Sequence, residues 1–427
     1  MKILVISNLY PPEIIGGYEV QCSEAVDALR SRGHDVRVLT AVPRRPMPSE
    51  DQSHVLRLLR TPDVYSHSRM GLRSPFWELE SNLLNVENIY VLLQLLQSWE
   101  PDVIYLWNLV AIGGVGIVAV LEQLGLPWVW HLGDSVPAAL CNFRGELRVL
   151  GAQMAKEISG RFIACSQTVL DDVNRMVPIG GRSRVVPNWV RSAGPSVERS
   201  YYDRSDLKMV YAGRIAEEKG VFILPAVVAR LVERGHTGLS LDICGAGRED
   251  DLVHLVAELG VQDYVRLHGW VPKKELRKRL RNSDLLLFPT SPDDAMPLAP
   301  LEAASEGCVP IIPGVSGVSE WLVDGVNCLK AEATIDGYVE QICRVLEGEV
   351  DLADISRRAV LSVHSDFDLE SIFPVVEREL VVAAEAGRMT RGPTTDVYRV
   401  ALLADAILRR HALVGGEGDI DSTGTGG

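Results

Sequence analysis

Short apolar runs that end in loop formers recur along the chain, and amphipathic stretches of helical length separate them. Lys2–Ser7 reads as a strand, and Asn8–Gly17 as the loop that follows it. Next, Cys22, Ala25, Val26 and Leu29 fall at i, i+3, i+4 and i+7, one face of a helix that Gly33 is placed to end in a left-handed cap. Val36–Thr40, Asp102–Leu106, Pro127–His131 and Arg161–Cys165 read as further strands. Strands alternating with helices predict a parallel, doubly wound sheet. The pattern restarts at Lys208–Gly213, with a helix from about Gly220 to Glu233 and strands at Leu239–Gly245, Tyr264–Leu267, Asp284–Phe288 and Val309–Ile312. The last two lack polar alternation, as strands covered on both faces do.

Two sheets divide the chain. Val186–Pro195 is rich in loop formers, which sets an N-terminal Rossmann-like domain at 1–189 and a C-terminal one at 190–370. C-terminal helices are expected over 371–413, packing back on the first domain. In the last of them Asp396 would be the N-cap, and Val397, Val400, Ala401, Ala404 and Leu408 the apolar stripe. The Gly-rich tail, 414–427, has little to bury and is expected to be flexible.

A length of 427 residues supports two cores, and 47% apolar with 23% charged residues is ordinary globular composition. The net charge of -14 argues against nucleic acid as a partner. Seven scattered cysteines without a C-x-x-C pair read as reduced core residues. Met1 leads straight into a strand with no signal-peptide pattern, so a cytoplasmic location is expected. The uncharged run Val103–Leu121 is broken by Asn108, Gly113, Gly114 and Gly116, so no transmembrane segment is expected, and peripheral membrane contact is left open. Oligomeric state is not legible.

Parallel sheets bind ligands beyond the carboxyl ends of their strands, and the chemistry-bearing motifs sit there. Gly16 and Gly17 lie between the first strand and its helix, where missing β-carbons let a backbone approach an anion, or where the chain simply turns. Ala212–Gly220 carries Arg214 and Lys219, a guanidinium fork and a point charge suited to a diphosphate; as solvated surface charges, they would instead include Lys219 paired with Glu217 or Glu218. Asp294 and Glu302 lie eight residues apart across a segment with two prolines that is expected to become helical near Leu301. Their carboxylates suit hydroxyl groups of one extended ligand, and amides such as those of Leu298 and Ala299 suit phosphate oxygens. The alternative is an acidic loop in which Glu302 favours the helix start.

Read in order, KILVISNLYPPEIIGG, RGHDVRVLT, VWHLGD, IACSQ, VVPNWV, YAGRIAEEKG, ICGAGR, LHGWVP, DLLLFPT, the DAMPLAPLE segment and GVSGVSEWLVDGVNCL make the chain from Met1 to about Glu377 resemble a family 4 retaining glycosyltransferase of the GT-B fold. That resemblance implies two Rossmann-like domains whose parallel sheets face each other across a cleft. It implies donor binding by Gly16, Gly17, Arg214, Lys219 and Met296, with Leu298, Ala299 and the ribose-holding Glu302. His131, Arg214, Lys219 and Asp294 are the implied catalytic set, with His131 facing the donor sugar. The family usually has glutamate where this chain has Asp294, and Asp293 makes the register ambiguous. Arg44, Arg45, Arg57, Arg60, Arg69 and Arg73, against Glu50, Asp51 and Asp63, bias one stretch toward an anionic or lipid-linked acceptor, or form a solvated loop.

The implied reaction moves a sugar from a nucleotide-diphosphate donor to an acceptor hydroxyl with retention. The cations and helix-start amides stabilise the leaving group, so neither a metal nor another cofactor is expected. Asp366–Asp368 and Asp419–Asp421, the D-x-D matches, read as chance. Two alternatives are a non-catalytic nucleotide-sugar binder, motivated by Asp294, and a nucleotide-sugar epimerase, for which no acid/base set is visible. A dehydrogenase is disfavoured because the first βα turn lacks G-x-G-x-x-G.

Overall fold

In a computed structural model, the described residues are 1–43, 53–61, 85–135, 137, 156, 158–192, 194, 206–292 and 294–390. The Arg44–Asp51 and Asp63–Arg73 parts of the basic stretch, Asp293, Cys141, the Asp396–Leu408 helix and the tail lie outside them.

Thirteen strands among these residues form two sheets. In the first sheet the strands are β1 (Lys2–Ile6), β2 (Asp35–Ala41), β3 (Val55–Leu59), β4 (Val103–Leu106), β5 (Trp128–Leu132), β6 (Arg161–Ala164) and β7 (Ser183–Val185), in the order β3-β2-β1-β4-β5-β6-β7. The second holds β8 (Leu207–Ala212), β9 (Leu239–Cys244), β10 (Val265–Leu267), β11 (Leu285–Leu287), β12 (Val309–Pro313) and β13 (Leu329–Ala331), in the order β10-β9-β8-β11-β12-β13. Pairing is parallel from β3 through β5 and throughout the second sheet. The strand order of each sheet reverses beside its first strand, at β1 against β4 and at β8 against β11, which makes the switch point where Rossmann-like sheets bind ligands.

Two compact units result. One takes the described residues of Met1–Ile163 and Asp172–Ser183 and those from Glu377 onward; the other takes Ala164–Asp171 and Arg184–Val376. The helix that begins at Leu369 therefore ends in the first unit, where Glu377 pairs with His34 and Glu379 with Arg161.

The apolar spacing is legible in the packing. Cys22, Ala25, Val26 and Leu29 are all fully buried on α1 (Gly17–Ser31), and Gly33 stands at φ +84° just past its end. The run Val103–Leu121 resolves into β4, a loop and the start of a helix at Val115, and no described helix is long and apolar enough to cross a membrane. The six described cysteines are buried and none is in a disulfide. Two boundaries differ from expectation. The Gly220–Glu233 helix begins with a tight turn, Val221–Ile223, and is α-helical only from Leu224. The helix expected near Leu301 begins at Leu298, because Pro300 falls in the first turn, where no amide donor is needed. Strands β3, β7 and β13 carried no alternation long enough to detect.

Candidate active site

In the second unit the carboxyl ends of the strands carry loops joined by backbone hydrogen bonds. Gly213 N–H donates to Cys244 O, Gly245 N–H to Gly269 O, Ser291 N–H to Glu218 O and Gly317 N–H to Asp294 O. Glycine is required for this closeness. A β-carbon on Gly245 would lie 1.7 Å from Gly213 O, one on Gly317 1.4 Å from Ala295 O, and one on Gly220, which also stands at φ +67°, 1.8 Å from Pro289 O.

This frame brings Lys219 and Asp294 together. Lys219 Nζ lies 2.6 Å from Asp294 Oδ2, with the two side chains only 19% and 12% exposed. The buried Thr290 hydroxyl donates to the same oxygen at 2.5 Å. Of the three ammonium donors one is thus engaged by Asp294, leaving two for an incoming anion. Lys219 does not pair with Glu217 or Glu218. Arg248 takes Glu217, and Arg214 takes Glu218 at 3.0 Å, both partners 52% exposed. An exposed pair of that kind contributes about 0–1 kcal/mol, so an arriving phosphate can replace Glu218 at little cost, whereas the shielded Lys219–Asp294 pair is the one that persists.

Tyr211, fully buried under these loops, donates its hydroxyl to Arg214 O at 2.7 Å and stacks on Phe288. Burial, with Asp294 nearby, raises its phenol far above the ordinary value, so it stays a neutral donor fixing the Arg214 backbone. Neither Thr290 nor Tyr211 was identified from sequence. Both sit inside quoted motifs, Tyr211 at the start of YAGRIAEEKG and Thr290 at the end of DLLLFPT, and only their partners reveal their roles.

Met296 is buried, with its carbonyl accepting from Asn188 Nδ2 at 2.7 Å, so its backbone holds the loop. Pro297 supplies no side-chain cap to the Leu298–Ser305 helix, leaving the amides of Leu298 and Ala299 in the first turn, where intrahelical acceptors are lacking. Glu302 lies one turn further on, with Oε1 3.9 Å from Lys273 Nζ.

In the first unit, Gly16 is the extended N-cap of α1, and Glu19 Oε2 accepts from its amide at 2.8 Å. A β-carbon on Gly16 would meet nothing within 4 Å, so space in front of it is open; Gly17 is exposed as the first helical residue. His131, on β5, is completely buried. Its Nδ1 lies 2.7 Å from the Tyr105 hydroxyl, its ring stacks on Trp107 at 4.3 Å, and the Tyr18 hydroxyl donates to its carbonyl. Burial lowers its pKa to about 3, so the imidazole is neutral.

Residues 200–360 match the family model for glycosyl transferases group 1, and residues 15–193 match that for glycosyltransferase family 4. A glycogen synthase of Mycobacterium tuberculosis is 24% identical over 420 residues, covering 94% of this chain and 99% of that protein. Among solved structures, the sucrose-phosphate synthase of Thermosynechococcus elongatus superposes with a TM-score of 0.70 at 17% identity, covering 90% of this chain and 99% of that one. Anabaena HepE, in complex with UDP-glucose, superposes with a TM-score of 0.64 at 18% identity, covering 90% and 100%.

Proposed function

The chain belongs to family 4 of the glycosyltransferases and has their GT-B fold, and on that premise we propose that it transfers a hexose, with retention, from a nucleotide-diphosphate sugar to an acceptor hydroxyl without a metal ion. The observation that carries this reading is the Lys219–Asp294 pair at the switch point of the second sheet, with Arg214 on the same loop as Lys219.

In this reading the bond between the anomeric carbon and the donor phosphate oxygen breaks, and negative charge grows on the departing nucleoside diphosphate. Lys219 meets that charge with its two remaining donors, and Arg214 meets it with a guanidinium fork released from Glu218. The Leu298 and Ala299 amides add the partial charge of a helix start. Asp294 orients the ammonium and, through its second oxygen, is within the chemistry of sugar hydroxyls; Glu302 holds the ribose. The acceptor attacks from the face the diphosphate leaves, and its proton passes to a phosphate oxygen. In the first unit taken by itself, His131 is neutral and the space in front of Gly16 is open. Buried cysteines outside disulfides fit a reducing compartment, in keeping with a cytoplasmic enzyme.

Screening nucleotide sugars by thermal shift, with UDP-glucose first, tests the donor class through linkage. The anomeric configuration of the product, read by proton NMR under chelator, then tests retention and metal independence. An inverted product, or turnover abolished by the chelator and restored by a divalent ion, would overturn those parts.

A further inference from the structure

On the face of the second sheet covered by the helix Lys273–Asn282, a cavity of about 600 Å³ opens between strand and helix. Its origin is in the sequence. Strand β9 alternates, turning Leu239, Leu241 and Ile243 inward, while Ser240 and Asp242 are only half-buried. Register sets Lys208 beside Ser240 and Arg266 beside Asp242. The covering helix, KKELRKRLRN, fully buries Leu280 alone. Apolar side chains close such an interface by interdigitating; long charged ones leave their heads in a wet gap.

Five cations line the cavity: Lys208, Arg266, Lys278, Arg279 and Arg281. Against them stand two carboxylates, Asp242 and Glu275, in a chain whose net charge is -14. Three cations are engaged: Lys208 with Asp206, Arg281 with the fully buried Glu306, and Arg279 with both Asp242 and Glu275. Arg266 and Lys278 have no carboxylate within ion-pair distance among the described residues, and Arg279 Nε is a buried donor without a hydrogen-bond partner. The cavity is lined by the early residues of β8 and by Ser283 just before β11, at the edge opposite the loops that carry Lys219 and Asp294.

We propose that this cavity is a second ligand site, taking a phosphorylated small molecule whose phosphomonoester dianion is held by Arg266, Lys278 and Arg279. Uncompensated positive charge in a partly enclosed space selects an anion, and Arg266 and Lys278 are the lining cations without an ion-pair partner to meet it, with Arg279 beside them in the lining. The volume falls in the range of small-molecule sites, about 300–1,000 Å³, and exceeds what a bare phosphate fills, so a sugar phosphate is the favoured occupant.

Isothermal titration of the full chain at fixed ionic strength, with glucose 6-phosphate and inorganic phosphate as probes, tests this. Glucose 6-phosphate is expected to bind saturably, and the R266A/K278A double variant to lose roughly a hundredfold in affinity, about tenfold for each charge-assisted contact. The R214A/K219A variant is expected to bind it as the unaltered chain does, which separates this site from the donor site. Equal affinity for both probes would identify free phosphate as the occupant and overturn the ester assignment. No saturable binding of either probe, or binding undiminished in R266A/K278A, would overturn the site itself.

Discussion

Lys219 Nζ and Asp294 Oδ2 lie 2.6 Å apart although 75 residues separate them, because their loops leave the adjacent parallel strands β8 and β11 at the point where the second sheet reverses. The pair joins a residue expected to bind phosphate to one expected to bind sugar. Asp294 thereby has a duty toward Lys219 that a glutamate, one methylene longer, would perform from a different distance.

Removing either partner should therefore hurt turnover more than folding. K219A and D294A are each expected to lower kcat by about 10²–10³, in the range of losing one preorganised charge-stabilising donor, while costing about 1–3 kcal/mol of stability. The double variant should be no slower than the worse single one, because the two act as a unit. Steady-state kinetics beside urea melts would decide it; fully additive losses would show that the two residues act separately.

Thr290 is expected to act through Asp294. T290V removes the hydroxyl from a half-buried carboxylate and should lower kcat while leaving KM for the donor nearly unchanged, at about 1–2 kcal/mol of stability. T290S, which keeps the hydroxyl, should restore turnover. A T290S enzyme as slow as T290V would make the effect one of packing.

Two glycines should separate fold from ligand. G220A forces a left-handed backbone on alanine and drives its β-carbon into Pro289 O, so it should unfold at markedly lower temperature, with about 1–3 kcal/mol lost to backbone conformation before the clash is counted. G16A meets only open space in an extended backbone and should melt normally, yet raise KM for the donor if phosphate approaches there. Calorimetry and donor kinetics on both variants check the contrast.

The buried imidazole of His131 gives a pH dependence of known sign. Its folded pKa, about 3, lies below the ordinary 6.5, so between these values the unfolded chain binds the proton that the folded chain refuses. Its burial is without penalty above pH 6.5 and destabilises progressively as pH falls through the window. H131F should therefore flatten the loss of stability between pH 6.5 and 5, measured by urea melts, above the range where carboxylates titrate. An identical slope in H131F and the unaltered chain would place the titrating group elsewhere.

The resemblance and the apolar periodicity together made much of the molecule legible before any coordinates. Ten of the strands were visible because each carries an apolar run long enough to show its period, and α1 because Cys22, Ala25, Val26 and Leu29 repeat at helical spacing. Strands β7 and β13, SRV and LKA, are no shorter than β10 and β11 but sit in no apolar run long enough to be read, and they are defined by the neighbours they pair with. For the candidate site, residue types were legible and partners were not. Lys219 reads as a phosphate-binding cation, with Glu217 or Glu218, the nearest carboxylates in sequence, as its partners only in the surface-charge alternative; Asp294 as its partner was not legible.

By itself, then, the sequence determined that two parallel α/β sheets form, that cations and carboxylates follow particular strands, and that the chain belongs with proteins sharing those motifs, because hydrophobic period and loop chemistry are local properties. Only the tertiary structure decided which charges meet. Strand order brings the ends of β8 and β11 together, sets Thr290 and Tyr211 beneath them, and places Arg266 and Lys278 in the lining of one cavity. Those relations arise from pairing between segments tens of residues apart, and Coulomb and hydrogen-bond energies depend on distance in space, which sequence separation does not encode.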